Sequence, residues 1–252
     1  MSPLSIESHE NVGVLRLNNG VINPISVEMV KKLSSVLNSV RDQFKGLVLA
    51  GGEKFFSLGF NIPELLEMDR DGMSAFFLEF NKIVLSLYSV PIPTACAIRG
   101  HAIAGGAILL LACDYRVASS GKTLIGLNEI KLGAPTPYLA DMILRQIATD
   151  QLASEIMYSG NFISSLDAAR YGIISETFSS DEVEARSIEK ISKMAESNPR
   201  AFAESKANRV EVIRARYEAN HKIKNEAFID CWFDPKTQES LREAAIKSFW
   251  SR

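Results

Sequence analysis

A chain of 252 residues can build one sizeable core, and α/β domains of this length often fold as a single unit. Apolar residues make up 46% and charged residues 23%, an ordinary globular balance. The net charge of −2 excludes the broad basic excess of a dedicated nucleic-acid binder, while leaving room for a local basic patch facing a phosphorylated ligand. Cys96, Cys113 and Cys231 are odd in number, widely spaced and set in or beside apolar runs, so they read as small buried hydrophobes in a reducing, cytoplasmic protein. No His/Cys cluster has metal-ligand spacing, and no metal or separate cofactor is expected. The N-terminal segment has no basic region followed by an apolar stretch, and the final Trp250-Ser251-Arg252 is not a peroxisomal address. The longest apolar run, Ala102 to Cys113, is twelve residues, short of the roughly 18 that a membrane span needs, so no membrane partner is expected.

Val12 to Leu17 alternates apolar and polar residues and predicts a strand that ends in the turn Asn18-Asn19-Gly20. Ser26 opens a helix whose apolar positions Met29, Val30, Leu33, Leu37 and Val40 share one face. Gly46–Ala50 predicts a buried strand before Gly51-Gly52. A short helix is expected after Pro63 and a longer one over Met73–Tyr88. Thr94–Ile98 predicts another buried strand, followed by a helix over Gly105–Cys113 and a strand over Tyr115–Ala118. Strands alternating with helices predict an α/β fold with parallel strands. From about Glu182 the pattern is helical, which divides the chain into an α/β core over residues 1–190 and a helical C-terminal region over 191–252.

Familiar catalytic signatures are missing: the sequence has no GxGxxG after a strand, no P-loop and no GxSxG elbow. His9, His101 and His221 are dispersed, which disfavours a metal site or a Ser–His–Asp triad. Two glycine-bearing turns stand out instead, Phe55 to Ile62 and Gly100 to Gly106. Glycines ahead of an apolar helix let backbone approach a ligand, and the helix N-terminus leaves N–H groups free for an oxygen that becomes anionic. The same glycines could equally serve tight helix–strand packing alone. Glu129 lies in the apolar stretch Ile125 to Gly133, where burial raises a carboxyl's pKa toward the range of proton transfer. The plain alternative is a solvated loop glutamate paired with Lys131.

Together these segments resemble the enoyl-CoA hydratase/isomerase (crotonase) superfamily. FSLGFNI (56–62) resembles FSAGxDL, and the run from Arg99 to Ser119 resembles NGxAxGGGxxLxxxCDxxxA. NEIKLG (128–133) resembles PEIxLG, and Ser164 to Glu176 resembles the unit containing EAxxxGLV. The order and spacing hold from about Leu17 to Glu176. The resemblance implies a spiral of ββα units, a helical tail that packs within a homotrimer or hexamer, and an acyl-CoA thioester substrate. It places the thioester carbonyl between the backbone N–H groups of Phe60 and Gly105, with Val21, Leu58, Gly59 and Gly106 as further substrate-binding positions.

The departures point to a subclass. Family hydratases carry two glutamates; here the first position is Ile108 and only the second, Glu129, is acidic. One base suffices to move a proton from C2 to C4. GLNEIKLGAPTPYL and the segment Phe228 to Phe249 are most similar to 3,2-enoyl-CoA isomerases, whose single catalytic glutamate maps to Glu129. The expectation is therefore an isomerase converting 3-enoyl-CoA to 2-trans-enoyl-CoA. The alternatives are another CoA thioester reaction (decarboxylase, thioesterase or weak hydratase) and a non-catalytic acyl-CoA-binding subunit. Leu58, Asn61 and Arg99 differ from the family pattern, and His101 in the second turn reads as structural.

Overall fold

The structure, a computed structural model, describes residues 2–249; the C-terminal tripeptide read above for an address lies outside the described residues. Its strands are β1 (Leu4–His9), β2 (Val12–Leu17), β3 (Gly46–Ala50), β4 (Phe55–Ser57), β5 (Thr94–Ile98), β6 (His101–Ile103), β7 (Tyr115–Ser119), β8 (Leu124–Gly126), β9 (Ile163–Ser164) and β10 (Glu176–Phe178). Its helices are α1 (Val27–Gln43), α2 (Ile62–Leu65), α3 (Arg70–Ser89), α4 (Gly105–Leu111), α5 (Tyr138–Ile147), α6 (Asp150–Ser159), α7 (Ser165–Arg170), α8 (Val183–Ala195), α9 (Pro199–Trp232) and α10 (Pro235–Phe249).

A six-stranded sheet in the order β1-β2-β3-β5-β7-β10 forms the floor, parallel throughout except for β1 against β2. Its central strands are buried on both faces, as parallel sheets require. Side chains alternate between the faces. Val12, Val14, Val48, Ala50, Ala95, Ala97 and Val117 pack with Val183 and Ile191 of α8, while Leu15, Leu47, Leu49, Cys96 and Ile98 join the larger core. The antiparallel β1 departs from the sequence reading, which began at Val12. Only Leu4 of that strand is buried, so an edge strand leaves almost no apolar signal.

Three strands of the floor each turn upward into a strand of a second, smaller sheet: β3 into β4, β5 into β6, β7 into β8. This four-stranded sheet runs β4-β6-β8-β9. A helix follows each of the first two pairs directly, giving the repeated ββα units that the resemblance implied. The short strands are two or three residues long, too brief for periodicity to reveal them. The boundary drawn at residue 190 falls inside α8, which packs on the floor; the helices beyond it begin at Pro199, N-capped by Asn198.

The units stack with little side chain between them. A Cβ at Gly106 would lie 2.4 Å from the Ser57 carbonyl oxygen, so this glycine is required by close approach of two backbones. Gly106→Ala is expected to lower stability by about 1–3 kcal/mol, read as a lower urea midpoint. Gly121→Ala, on the surface, should leave the midpoint within about 0.5 kcal/mol of wild type. Equal midpoints for the two variants would contradict the packing argument.

Candidate active site

The loop after β4 is pinned to the segment before α1. Leu58 N–H donates to the Ile22 carbonyl (2.9 Å), Ile25 N–H to the Gly59 carbonyl (2.8 Å) and Asn61 N–H to the Ile25 carbonyl (3.0 Å). The Ser57 hydroxyl donates to the Asn23 carbonyl (2.7 Å) and accepts from Gly59 N–H (3.1 Å). Gly59 sits at φ +94°, a conformation open to glycine. These bonds commit every amide around Phe60 and leave the Phe60 N–H without an acceptor among the described residues. Its ring is held edge-on between Phe76 (5.2 Å) and Phe80 (4.8 Å), which fixes the direction of that amide.

The second turn comes from the neighbouring unit. Ala104 N–H still belongs to the small sheet, donating to the Gly126 carbonyl at 2.9 Å. Ala104 then adopts φ +48°, ψ −120°, a strained backbone for a residue with a Cβ. The chain swings out of the ladder there and starts α4 at Gly105, whose N–H is one of the unpaired donors of a helix start. The two turns touch: a Cβ on Gly59 would lie 3.0 Å from the Gly105 nitrogen. The N–H groups of Phe60 and Gly105, both without an acceptor among the described residues, thus come from two turns in direct contact, an arrangement that could hold one oxygen.

Glu129 follows β8, in a 3₁₀ turn over Glu129–Leu132 that ends at Gly133 with φ +90°. The turn is closed by Ala134 N–H donating to the Glu129 carbonyl (3.1 Å), and from the tail by the Thr237 hydroxyl donating to the Gly133 carbonyl (3.2 Å). The Glu129 residue is 8% exposed and its Oε2 has no partner among the described residues. Burial pushes its carboxyl up to about 7, only partly offset by a backbone hydrogen bond. Lys131 is committed instead to Asn161 Oδ1 at 2.7 Å, so the plain reading of a solvated Glu129–Lys131 pair does not hold.

All three elements open on one cleft of about 380 Å³. Leu58, Phe60, Gly105 and Glu129 line it, and Glu129 is the only carboxylate among the described residues of its wall. Val21 is 55% exposed and its neighbour Ile22 takes the wall position. Gly59 and Gly106 support the turns from behind. Ile108 is buried within α4 and does not reach the cleft. Asn61 does line it, and its amide donates to Glu64 Oε2 at 2.8 Å. An aspartate there would set two carboxylates against each other, which accounts for that departure from the family pattern. Arg99 pairs with Glu53 at a groove shared with Arg16 and Glu184, away from the cleft.

The sequence reading missed the tail. Phe228 and Trp232 of α9 and Leu241 and Ala244 of α10 form a wall of the same cleft, with Phe228 stacked on Phe77 at 3.9 Å. The signal was the i, i+4 aromatic spacing of Phe228 and Trp232, one turn apart on a single helix face.

Because burial raises the Glu129 pKa from 4.5 to about 7, the fold favours the protonated acid. The stability this confers is complete below pH 4.5 and is lost as pH rises through 7, a difference of about 3 kcal/mol at 1.36 kcal/mol per unit. Glu129→Gln should therefore match wild type near pH 4 and exceed it by about that amount at pH 8.5 in denaturant titrations. A difference independent of pH would contradict burial as the cause.

Among the described residues no helix is long and apolar enough to cross a membrane. The family model for enoyl-CoA hydratase/isomerase matches residues 7–248. The probable enoyl-CoA hydratase of Bacillus subtilis is 26% identical over 96% of this chain and 95% of its own length. The mitochondrial enoyl-CoA delta isomerase 1 of Mus musculus is 28% identical over 71% of this chain and 64% of its own. Against the fatty acid oxidation complex subunit alpha of Idiomarina loihiensis, 30% identical over 62% of this chain, the match spans only 22% of the longer protein. In structure, the human mitochondrial delta3-delta2-enoyl-CoA isomerase superposes with a TM-score of 0.94 over 99% of both chains at 21% identity, which establishes the shared fold. With its paired ββα turns and a family match across almost its whole length, this chain belongs to the enoyl-CoA hydratase/isomerase family.

Proposed function

We propose that the protein is an enoyl-CoA isomerase that converts 3-enoyl-CoA to 2-trans-enoyl-CoA. The observation that carries this reading is the single carboxylate in the cleft wall, Glu129, in a cleft also lined by Phe60 and Gly105, whose backbone N–H groups have no acceptor among the described residues. The Glu129 carboxylate removes a proton from C2, and the electron pair moves into the thioester carbonyl. The oxygen, now anionic, is held by the N–H groups of Phe60 and Gly105. Collapse of the dienolate draws the same proton from Glu129 onto C4, leaving the double bond between C2 and C3. One proton leaves and one returns, so the enzyme ends as it began.

Hydration asks for more. Water must be positioned and protons moved at two carbons, a task the family's hydratases divide between two acids. Ile108 stands where the first of these falls and is buried away from the cleft. A carboxyl poised at about 7 suits a base that must later act as an acid, because both forms are accessible near neutral pH.

The test compares a 3-enoyl-CoA with a 2-enoyl-CoA as substrates of the purified protein. Formation of the conjugated thioester is expected with negligible hydration, and Glu129→Gln should abolish it while leaving thioester binding intact. Retained turnover in Glu129→Gln would falsify the assignment of the base. With active enzyme, kcat/KM should fall about tenfold per pH unit below pH 7, as the base becomes protonated. Gly105→Pro removes one donor and should cost about 10²–10³ in kcat. Gly105→Ala keeps the N–H while adding a Cβ 3.0 Å from Ile25 Cδ1, and controls for bulk.

A further inference from the structure

The Gly59–Phe60 peptide is one rigid plane, so whatever grips its carbonyl also aims its N–H the opposite way. The grip comes from Ile25, whose N–H donates to the Gly59 carbonyl at 2.8 Å and whose carbonyl accepts Asn61 N–H at 3.0 Å. A hydrogen bond at the carbonyl also polarises the peptide and strengthens its N–H as a donor. Ile25 is buried, and its Cδ1 would lie 3.0 Å from a Cβ at Gly105, so it adjoins both turns of the candidate site.

Ile25 is held in turn by what precedes it. Asn23 adopts φ +44°, uncommon for a residue with a Cβ, immediately before Pro24, which narrows the conformations of the residue ahead of it. Such a backbone persists where its surroundings over-determine it. Asn23 Oδ1 accepts Asn19 N–H at 2.7 Å, Asn23 Nδ2 donates to the Phe55 carbonyl at 3.4 Å, and Asn19 Nδ2 donates to the Pro24 carbonyl at 2.7 Å. Asn23 is 2% exposed, and both ends of its amide are directed at backbone. Its own carbonyl accepts the Ser57 hydroxyl at 2.7 Å, and the Ser57 oxygen accepts Gly59 N–H at 3.1 Å. Of two successive N–H groups, that of Gly59 is thereby occupied and that of Phe60 is left over.

We infer that Asn23 is a positioning residue for the Phe60 amide, acting through Ser57 on the Gly59 N–H and through Pro24 and Ile25 on the Gly59 carbonyl. The turn Asn18 to Gly20, which the site had left unassigned, supplies Asn19 as its brace. The inference rests on the proposal that Phe60 N–H receives a thioester oxygen, but not on which carbon is reprotonated afterwards.

Two ligands separate positioning from folding. Butyryl-CoA presents a neutral thioester carbonyl and is titrated by calorimetry. Acetoacetyl-CoA is a 1,3-dicarbonyl acid whose enolate, with charge shared onto the thioester oxygen, is titrated by its near-ultraviolet absorbance. A misaimed donor weakens the anion far more than the neutral carbonyl. Asn23→Gly tolerates the left-handed backbone and removes both side-chain bonds. It is expected to raise Kd for the enolate about tenfold, the scale of one charge-assisted hydrogen bond, and Kd for butyryl-CoA by less than about twofold. Asn19→Ala, at a half-buried position, should shift the same ratio about threefold in the same direction, and keeps the test readable should Asn23→Gly not fold. Equal weakening of both ligands would mark Asn23 as structural and overturn the inference, as would an unchanged ratio in either folded variant. Wild-type protein that binds butyryl-CoA but gives no enolate band with acetoacetyl-CoA would overturn the oxyanion reading and the inference with it. Neither ligand needs to be turned over, so a failed isomerase assay leaves both measurements intact.

Discussion

The contact on which the site depends is backbone against backbone, where the unit carrying Gly59 meets the unit carrying Gly105 and Gly106. Side chains there would push the two turns apart and separate the two amides that remain unpaired. The local sequence bears the strain of this approach in three ways. Gly59 takes a positive φ, Gly106 leaves room for the Ser57 carbonyl, and Ala104 accepts a conformation that a Cβ resists. Leu58 N–H, the Gly59 carbonyl, Asn61 N–H and the Ser57 hydroxyl are all tied to the segment from Ile22 to Ile25, which holds the Phe60 amide in place without occupying it.

Across from these dipoles stands one ionisable acid in an apolar wall. On the proposed reaction a single negative charge moves from the Glu129 carboxylate to the thioester oxygen and back, and the charge of the cleft never changes. Neutral N–H donors are well matched to such a shuttle. A fixed cation at the oxygen would hold the charge there and also draw the carboxylate toward permanent ionisation. His101, kept neutral, does not disturb this balance.

Much of this was legible from residue patterns. The buried strands Gly46–Ala50 and Thr94–Ile98 are continuous apolar runs because both faces of the floor are covered, and the α1 face declares itself by spacing alone. The glycine turns and the carboxylate among apolar neighbours were visible for the same reason: each breaks a local rule. Of the second turn's glycines, Gly106 serves packing and Gly105 lines the cleft. What stayed hidden were features set by partners distant in sequence. The small sheet is built of strands too short to show a period, and β1 is an edge with one buried residue. Val21 and Ile22 are both apolar in a turn, and nothing local says which of them turns inward.

The hydrogen bond from Thr237 to the Gly133 carbonyl ties the last helix to the turn that bears the carboxylate. The dryness that raises the Glu129 pKa is thus maintained in part by residues more than a hundred positions away in the chain. If α10 were to lift, water would reach the carboxyl and return it to ordinary acidity, making it a weaker base without altering a single atom of it. The acidity of Glu129 is a tertiary property, set by burial in a cleft whose wall includes the C-terminal helix.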